Sequence, residues 1–295
     1  MPPGLLAFGR WQLEGEQGRA WIQALPEHVE ALLARWDLAP DGEAMHGYNG
    51  MVLPVRRGQE RCALKVSWPP ETAACREALA LEIWEGRGAV RLLETSPAEG
   101  ALLLERANSR TLLRDLALSA AVPVAGTLLR RLAVPAPAGP RRLSEVAAEI
   151  RDGLVDRWER LGRPFPLGLA DQVRDLAGGL SLRTGSLLVN HDLHYDNVLA
   201  ADREPWLAID PKVYAGDPEY QVAQLLWTRL DEMDGRADLF FHFHALVDAA
   251  ELDPDVARAW TVVRCIDYWL WGLGAGFTED PLRCEAMVDV FTPEG

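Results

Sequence analysis

The stretch LLVNHDLHYDNVLA, residues 187–200, constrains this chain more than any other. Two short apolar runs, LLV and VLA, read as buried strands, and between them lie Asp192, Asp196 and Asn197. A further apolar run, LAI, leads into Asp210, thirteen residues after Asn197. The pattern predicts a short hairpin that gathers Asp192, Asn197 and Asp210 at strand ends on one side. Carboxylates beside an apolar core are costly unless something positive joins them, so a cation is expected there.

An amide oxygen and a carboxylate, Asn197 and Asp210, suit a hard divalent ion such as Mg²⁺. That ion keeps several waters and takes one or two protein carboxylates together with phosphate oxygens. A separate carboxylate, Asp192, can then orient a hydroxyl and take its proton. Phosphoryl transfer requires this division of labour, and it also requires a cation on the nucleotide phosphates. Lys65, in the middle of the apolar strand ALKV, fits that need. Its partner is expected on the helix ETAACREALALEIWEG. There Glu77, Leu81 and Trp84 follow i, i+4, i+7 and share an inward face, whereas Glu82 lies about 140° away.

The rest of the chain divides in character near residue 107. Before it, helix-like PEHVEALLARWDL precedes two hairpins, NGMVLPV with RCALKVS and GAVRLLETSPAEGALLLER, with the ETAAC helix between them. That mixture predicts a small α+β lobe over residues 1–107. After it, TLLRDLALSAAVPVAGTLLRRL, LSEVAAEIRDGLVDRWERL and LADQVRDLAGGLSLR carry helix-period apolar residues. The prolines of AVPAPAGPRR mark a stiff connection, and helices resume after Asp210. A larger, mainly helical lobe is expected over residues 108–295.

A formal net charge of −14 argues against nucleic acid, whose phosphates demand a basic footprint, and against an anionic membrane. It would accommodate a cationic ligand. Cys62, Cys75, Cys265 and Cys284 form no C-x-x-C pair and read as reduced thiols of a cytoplasmic protein. The N-terminal segment has no basic region followed by an apolar run, so no secretory signal is expected. His191 and His194 lack a third convergent ligand for zinc and read as structural.

The motifs ALKV, NHDLHYDNVL and AIDPK together resemble the aminoglycoside phosphotransferase branch of the protein-kinase-like enzymes. GRGAVRLLE, REPWLAIDPK and GDPEY bring the likeness closest to the streptomycin 6-kinase and hydroxyurea kinase group. The likeness runs from about Gly42 to Leu230. It implies a protein-kinase-like two-lobed fold with ATP and Mg²⁺ between the lobes. It makes Asp192 the catalytic base, Asn197 and Asp210 the metal ligands, and Lys65 with Glu77 the phosphate-holding pair. Tyr48, Asn49 and Gly50 would form the loop over the phosphates, although Gly and Asn also suit any hairpin turn. The segment around Glu105 would be the hinge against adenine.

Two departures stand out. His191 occupies the glycine position of the family's H-G-D. Gln221, in GDPEYQVA, replaces an aspartate that commonly braces the catalytic loop. The acceptor is expected to be a small hydroxylated, cationic molecule of the aminoglycoside type, or hydroxyurea. A sugar, amino sugar or secondary metabolite is the metabolic alternative, and a nucleotide-binding pseudokinase a rarer one. Asp231, Glu232 and Asp267 are the candidate acceptor carboxylates. The first two also read as a solvated helix end, and Arg264, one turn earlier, is the expected partner of Asp267. Trp269 and Trp271 are read as core, with a pocket wall as the alternative.

Overall fold

The computed structural model describes residues 4–5, 11, 14–47, 49–68 and 70–292. The chain divides into two compact units, Met1–Asn108 with Ala201–Leu207, and Ser109–Ala200 with Ala208–Gly295.

The first unit begins with α1 (Gly15–Arg35) and the short strands β1 (Ala39–Pro40) and β2 (Met45–His46). The hairpin β3 (Gly50–Arg57) and β4 (Glu60–Ser67) follows, then α2 (Pro70–Trp84), β5 (Leu92–Ser96) and β6 (Ala101–Glu105). The antiparallel sheet runs β1-β3-β4-β6-β5, with β2 on β3. Alternation along β4 sends Cys62, Leu64 and Val66 into a core shared with Leu25, Val29 and Leu32 of α1. Each large aliphatic side chain so buried contributes about 1.5–3 kcal/mol. The same period-two rule turns Ala63 and Lys65 to the opposite face.

Gly50 opens β3 opposite Ser67. A Cβ at Gly50 would stand 2.0 Å from the Val66 carbonyl oxygen, so the close approach of β4 requires glycine whatever else the loop does. Gly50→Ala is expected to force the hairpin mouth apart and cost about 1–3 kcal/mol, read as a lower denaturation midpoint. The segment Ala201–Leu207 belongs to this unit through Arg203. Its guanidinium donates to the Glu105 carboxylate at 2.8 Å and to the carbonyls of Gly86 at 2.6 Å and Ala89 at 2.9 Å.

Past β6 come β7 (Asn108–Leu112), α3 (Leu118–Leu132), α4 (Leu143–Arg160) and α5 (Leu167–Ser181). Four short strands follow: β8 (Leu187–Asn190), β9 (Val198–Ala200), β10 (Trp206–Ala208) and β11 (Val213–Gly216). Helices α6 (Val222–Trp227), α7 (Gly235–Ala250), α8 (Pro254–Gly274) and α9 (Glu279–Phe291) complete the described chain. The helix period of α3 buries Ala121, Val122, Ala125, Leu128, Leu129 and Leu132 on one face. Gly126 lets α7 approach, since a Cβ there would meet the Ala249 Cβ at 2.7 Å. Helix α8 starts sharply: the Asp253 side chain accepts from the backbone N–H of Asp255 and Val256, and Pro254 stands at the first helical position. No helix among the described residues is long and apolar enough to cross a membrane.

The α+β class with a small mixed part and a large helical part agrees with the sequence expectation. Two local expectations do not hold. TLLRDLALSAA is not helical from its start, because Asn108–Leu112 is a strand and the α-helix begins only at Leu118. The two apolar runs around the Asp192 loop do not pair as a hairpin. β8 pairs antiparallel with β11, Val213 opposite Asn190, and β9 belongs to a different sheet.

Candidate active site

In the first unit, β4 lies between β3 and β6, with Lys65 opposite Val52 on one side and Leu102 on the other. The Lys65 Nζ donates to Glu77 Oε2 at 2.6 Å. Glu77 is 3% exposed and shares its helix face with buried Leu81 and Trp84, whereas Glu82 is exposed. An ion pair this desolvated is strong only while both members remain. The mouth of the β3–β4 hairpin is held by Trp68 N donating to Asn49 O at 2.7 Å and by Gly47 N donating to Gly50 O at 3.0 Å. Tyr48 lies outside the described residues. Glu105 ends β6, its carboxylate engaged by Arg203 and by the backbone N–H of Arg91 at 3.0 Å.

In the second unit, the loop after β8 carries the other polar groups. Asn190, 3% exposed, fixes the loop base: its Oδ1 accepts from the backbone N–H of Asp192 at 3.3 Å and of Lys212 at 3.1 Å. His191 N donates to Lys212 O at 2.7 Å. The Asp192 carboxylate is held at both oxygens. Lys212 Nζ lies 2.6 Å from Oδ2, and Gln224 Nε2 donates to Oδ1 at 3.3 Å.

Asn197 closes a single 3₁₀ turn, Tyr195–Asn197. Its Nδ2 donates to the Asp192 carbonyl at 3.1 Å, which leaves Oδ1 for a ligand role. Ile209 N donates to Asn197 O at 2.9 Å, so the residue before Asp210 is tied to Asn197. Asp210 has φ of 49°, a left-handed conformation uncommon outside glycine and tolerated by aspartate. No group of three or more His, Cys, Asp or Glu among the described residues could hold a metal ion by itself. One amide and one carboxylate nonetheless fit Mg²⁺, which fills its remaining positions with water and phosphate oxygens.

His191, in the glycine position, packs against an aromatic neighbour. Its ring stacks on Tyr214 with centroids 4.0 Å apart and planes 13° from parallel. Desolvation, followed by the charge of Arg264, pushes the imidazole down to about 3. The unfolded chain therefore takes up a proton near pH 6.5 that the folded chain refuses until about pH 3, and this stability is lost as pH falls through that window. Between pH 7 and pH 4.5, urea unfolding of wild type should lose about 2 kcal/mol more than that of His191→Phe. Equal losses would mean that His191 is not held neutral.

The candidate acceptor carboxylates are all paired. Asp231 meets Arg283 at 2.5 Å, Glu232 meets Arg229 at 2.5 Å, and Asp267 meets Arg157 at 2.5 Å. Arg264 is thus not the partner of Asp267. The guanidinium of Arg264 turns instead to the loop that carries Asp192, donating to the His191 carbonyl at 2.8 Å. Asp196 is engaged by His194 and Arg114, which hold its carboxyl below the usual range. Trp269 is buried, as expected, but Trp271 is half exposed. It continues a row in which Trp227 stacks on Tyr268 and Tyr268 on Trp271. Sequence reasoning singled out neither Lys212 nor Gln224. The only signal for Lys212 was its place two residues after Asp210 in AIDPK, and Gln224 sits among the apolar residues of a short helix.

The fold is similar to the crystal structure of an aminoglycoside phosphotransferase, with a TM-score of 0.61 and 18% identity, covering 91% of this chain and 100% of that one. With the small sheet-bearing unit and the large helical one, this gives the chain a protein-kinase-like fold. Residues 35–275 match the family described as aminoglycoside/hydroxyurea antibiotic resistance kinase. A hydroxyurea phosphotransferase of Kitasatospora aureofaciens is 41% identical over 286 residues, 94% of this chain and 81% of that protein. A streptomycin 6-kinase of Streptomyces glaucescens is 38% identical over 281 residues, 93% of this chain and 91% of that protein. The chain belongs to the aminoglycoside/hydroxyurea antibiotic resistance kinase family.

Proposed function

We propose that this enzyme transfers the γ-phosphoryl group of ATP to a hydroxyl of a streptomycin-like aminoglycoside or of hydroxyurea, and so inactivates it. The observation that carries the reading is the Asp192 loop. The Asp192 carboxylate is fixed at both oxygens, and the main-chain carbonyl of the same residue orients the Asn197 amide. Asp192 orients the acceptor hydroxyl and takes its proton as the oxygen attacks phosphorus. Asn197 Oδ1 and the Asp210 carboxylate would hold Mg²⁺, which when bound neutralises charge on the nucleotide phosphates. Lys65, kept in place by Glu77, supplies a further positive charge to those phosphates. In-line transfer leaves ADP and a phosphorylated acceptor, with the hydroxyl proton on Asp192.

Asn49, Gly50 and Glu105 take the nucleotide-loop and hinge roles by the family pattern. Because the Glu105 carboxylate is engaged by Arg203, a contact to adenine would fall to the main chain. A cationic acceptor would compete with arginines for Asp231, Glu232 and Asp267, of which Asp267 is partly shielded at 35% side-chain exposure. Four free cysteines fit a cytoplasmic location.

The test is incubation with MgATP and separate acceptors: streptomycin, other aminoglycosides, hydroxyurea, amino sugars and sugars. A gain of one phosphate on streptomycin or hydroxyurea supports the reading. Transfer only to simple sugars would replace it with a metabolic kinase.

A further inference from the structure

Gln221 stands where the family commonly has the aspartate that braces the catalytic loop, yet its side chain bonds Arg264 rather than the loop itself among the described residues. It is 1% exposed, its Oε1 accepts from Arg264 at 3.2 Å, and its Nε2 has no partner among the described residues. Arg264 is the unusual group. Its guanidinium is enclosed between the rings of Tyr220, 4.2 Å to the centroid, and Trp227, 5.0 Å. The residue is 7% exposed. No carboxylate forms a salt bridge with it among the described residues, and its hydrogen-bond partners are all neutral: the carbonyls of Tyr220 at 2.9 Å and His191 at 2.8 Å, and the side-chain oxygens of Gln221 and of Gln224 at 2.6 Å. A buried charge without a counter-charge is expensive, and an arginine kept only for packing would be better replaced by an apolar residue.

Two of those bonds lead to Asp192. The His191 carbonyl belongs to the residue immediately before it. Gln224 receives Arg264 on Oε1, which fixes the amide so that Nε2 faces the Asp192 carboxylate. An aspartate brace would work by accepting from loop N–H groups. Arg264 reverses the polarity and works by donating to a loop carbonyl and to an intermediary amide.

We propose that Arg264, acting through Gln224 and the His191 carbonyl, is the positioning residue for Asp192 and replaces the missing aspartate brace from a different helix. The proposal rests on Asp192 being the base. Lys212 holds Oδ2, and Gln224, itself set by Arg264, fixes the rotation of the carboxylate so that Oδ1 is presented in one orientation to the acceptor hydroxyl. Small rotations of a general base misplace the proton acceptor relative to the hydroxyl and are expected to cost rate more than binding.

The experiment measures kcat and KM with MgATP and with streptomycin and hydroxyurea as acceptors. The variants are Arg264→Met, Arg264→Lys, Gln224→Met, the double Arg264→Met/Gln224→Met, and Asp192→Asn as reference. Expected are a fall in kcat of about 10²-fold for Arg264→Met and about 10-fold for Gln224→Met, with both KM values within about 3-fold. Arg264→Lys should recover part of the loss. The double variant should be no slower than Arg264→Met, since Gln224 is set by Arg264 and has no fixed orientation to lose once Arg264 is gone. Hydrogen exchange of the 187–199 segment provides a second readout independent of acceptor, and should quicken in Arg264→Met and Gln224→Met. If Arg264→Met does not fold, Gln224→Met decides alone. Wild-type kcat and unchanged exchange in Gln224→Met, with Asp192→Asn inactive, would overturn the brace while leaving the base intact. Full turnover by Asp192→Asn would instead overturn the base, and the brace with it.

Discussion

Asp192→Asn is expected to lower kcat by about 10²–10⁴-fold, with MgATP still bound at near wild-type affinity. The substitution is isosteric, so Asn190, Gln224 and Asn197 keep their places around the loop. Only the acceptor of the hydroxyl proton and the counter-charge of Lys212 are lost. The Lys212 side chain is 46% exposed, and exposed pairs contribute about 0–1 kcal/mol, so the denaturation midpoint should hardly move. Steady-state turnover together with nucleotide titration checks both halves. Weakened nucleotide binding on the scale of the lost turnover would show that Asp192 serves the nucleotide rather than the acceptor.

Lys65→Ala is expected to produce the second large effect, and it differs in kind. Removing the ammonium leaves Glu77, whose side chain is 4% exposed, with a buried carboxylate stripped of its partner at 2.6 Å. Breaking such a pair from one side costs about 3 kcal/mol of stability. If Lys65 serves the phosphates as proposed, removing this preorganised positive group should cost about 10²–10³-fold in kcat. Glu77→Gln keeps the lysine but frees it from its anchor, so turnover falls while stability changes less. Chemical denaturation and MgATP kinetics on the two variants separate these terms. A Lys65→Ala enzyme that keeps wild-type kcat would remove the lysine from the reaction.

The parts of this arrangement that the sequence carried are those set by local periodicity. Lys65 on an alternating strand and Glu77 at the phase of Leu81 and Trp84 follow from periods of two and 3.6 residues, and the two side chains meet. The spacing of Asp192 and Asn197 was equally readable, because a tight loop fixes it. What remained hidden depends on pairing at long range. Two apolar runs next to one loop read as a hairpin, but β8 finds its partner in β11, beyond Asp210. Arg264 and Asp267 lie close on one helix by spacing alone, yet each finds a better acceptor or donor on another element, the His191 carbonyl and Arg157. Long side chains near a helix surface answer to whatever packs on that helix, and i,i+3 spacing does not reveal it. The return of Arg203 to the carbonyls of Gly86 and Ala89 was likewise invisible.

The central claim is that this chain moves a phosphoryl group from ATP to an acceptor hydroxyl. It is tested most directly by quantifying ADP and phosphorylated acceptor in the same reaction of wild-type enzyme, MgATP and streptomycin or hydroxyurea. The account predicts that one of these acceptors gains one phosphate for each ADP formed, and that both products form at least about 10²-fold more slowly with Asp192→Asn. ADP released without a phosphorylated acceptor, or neither product with either acceptor, would contradict it.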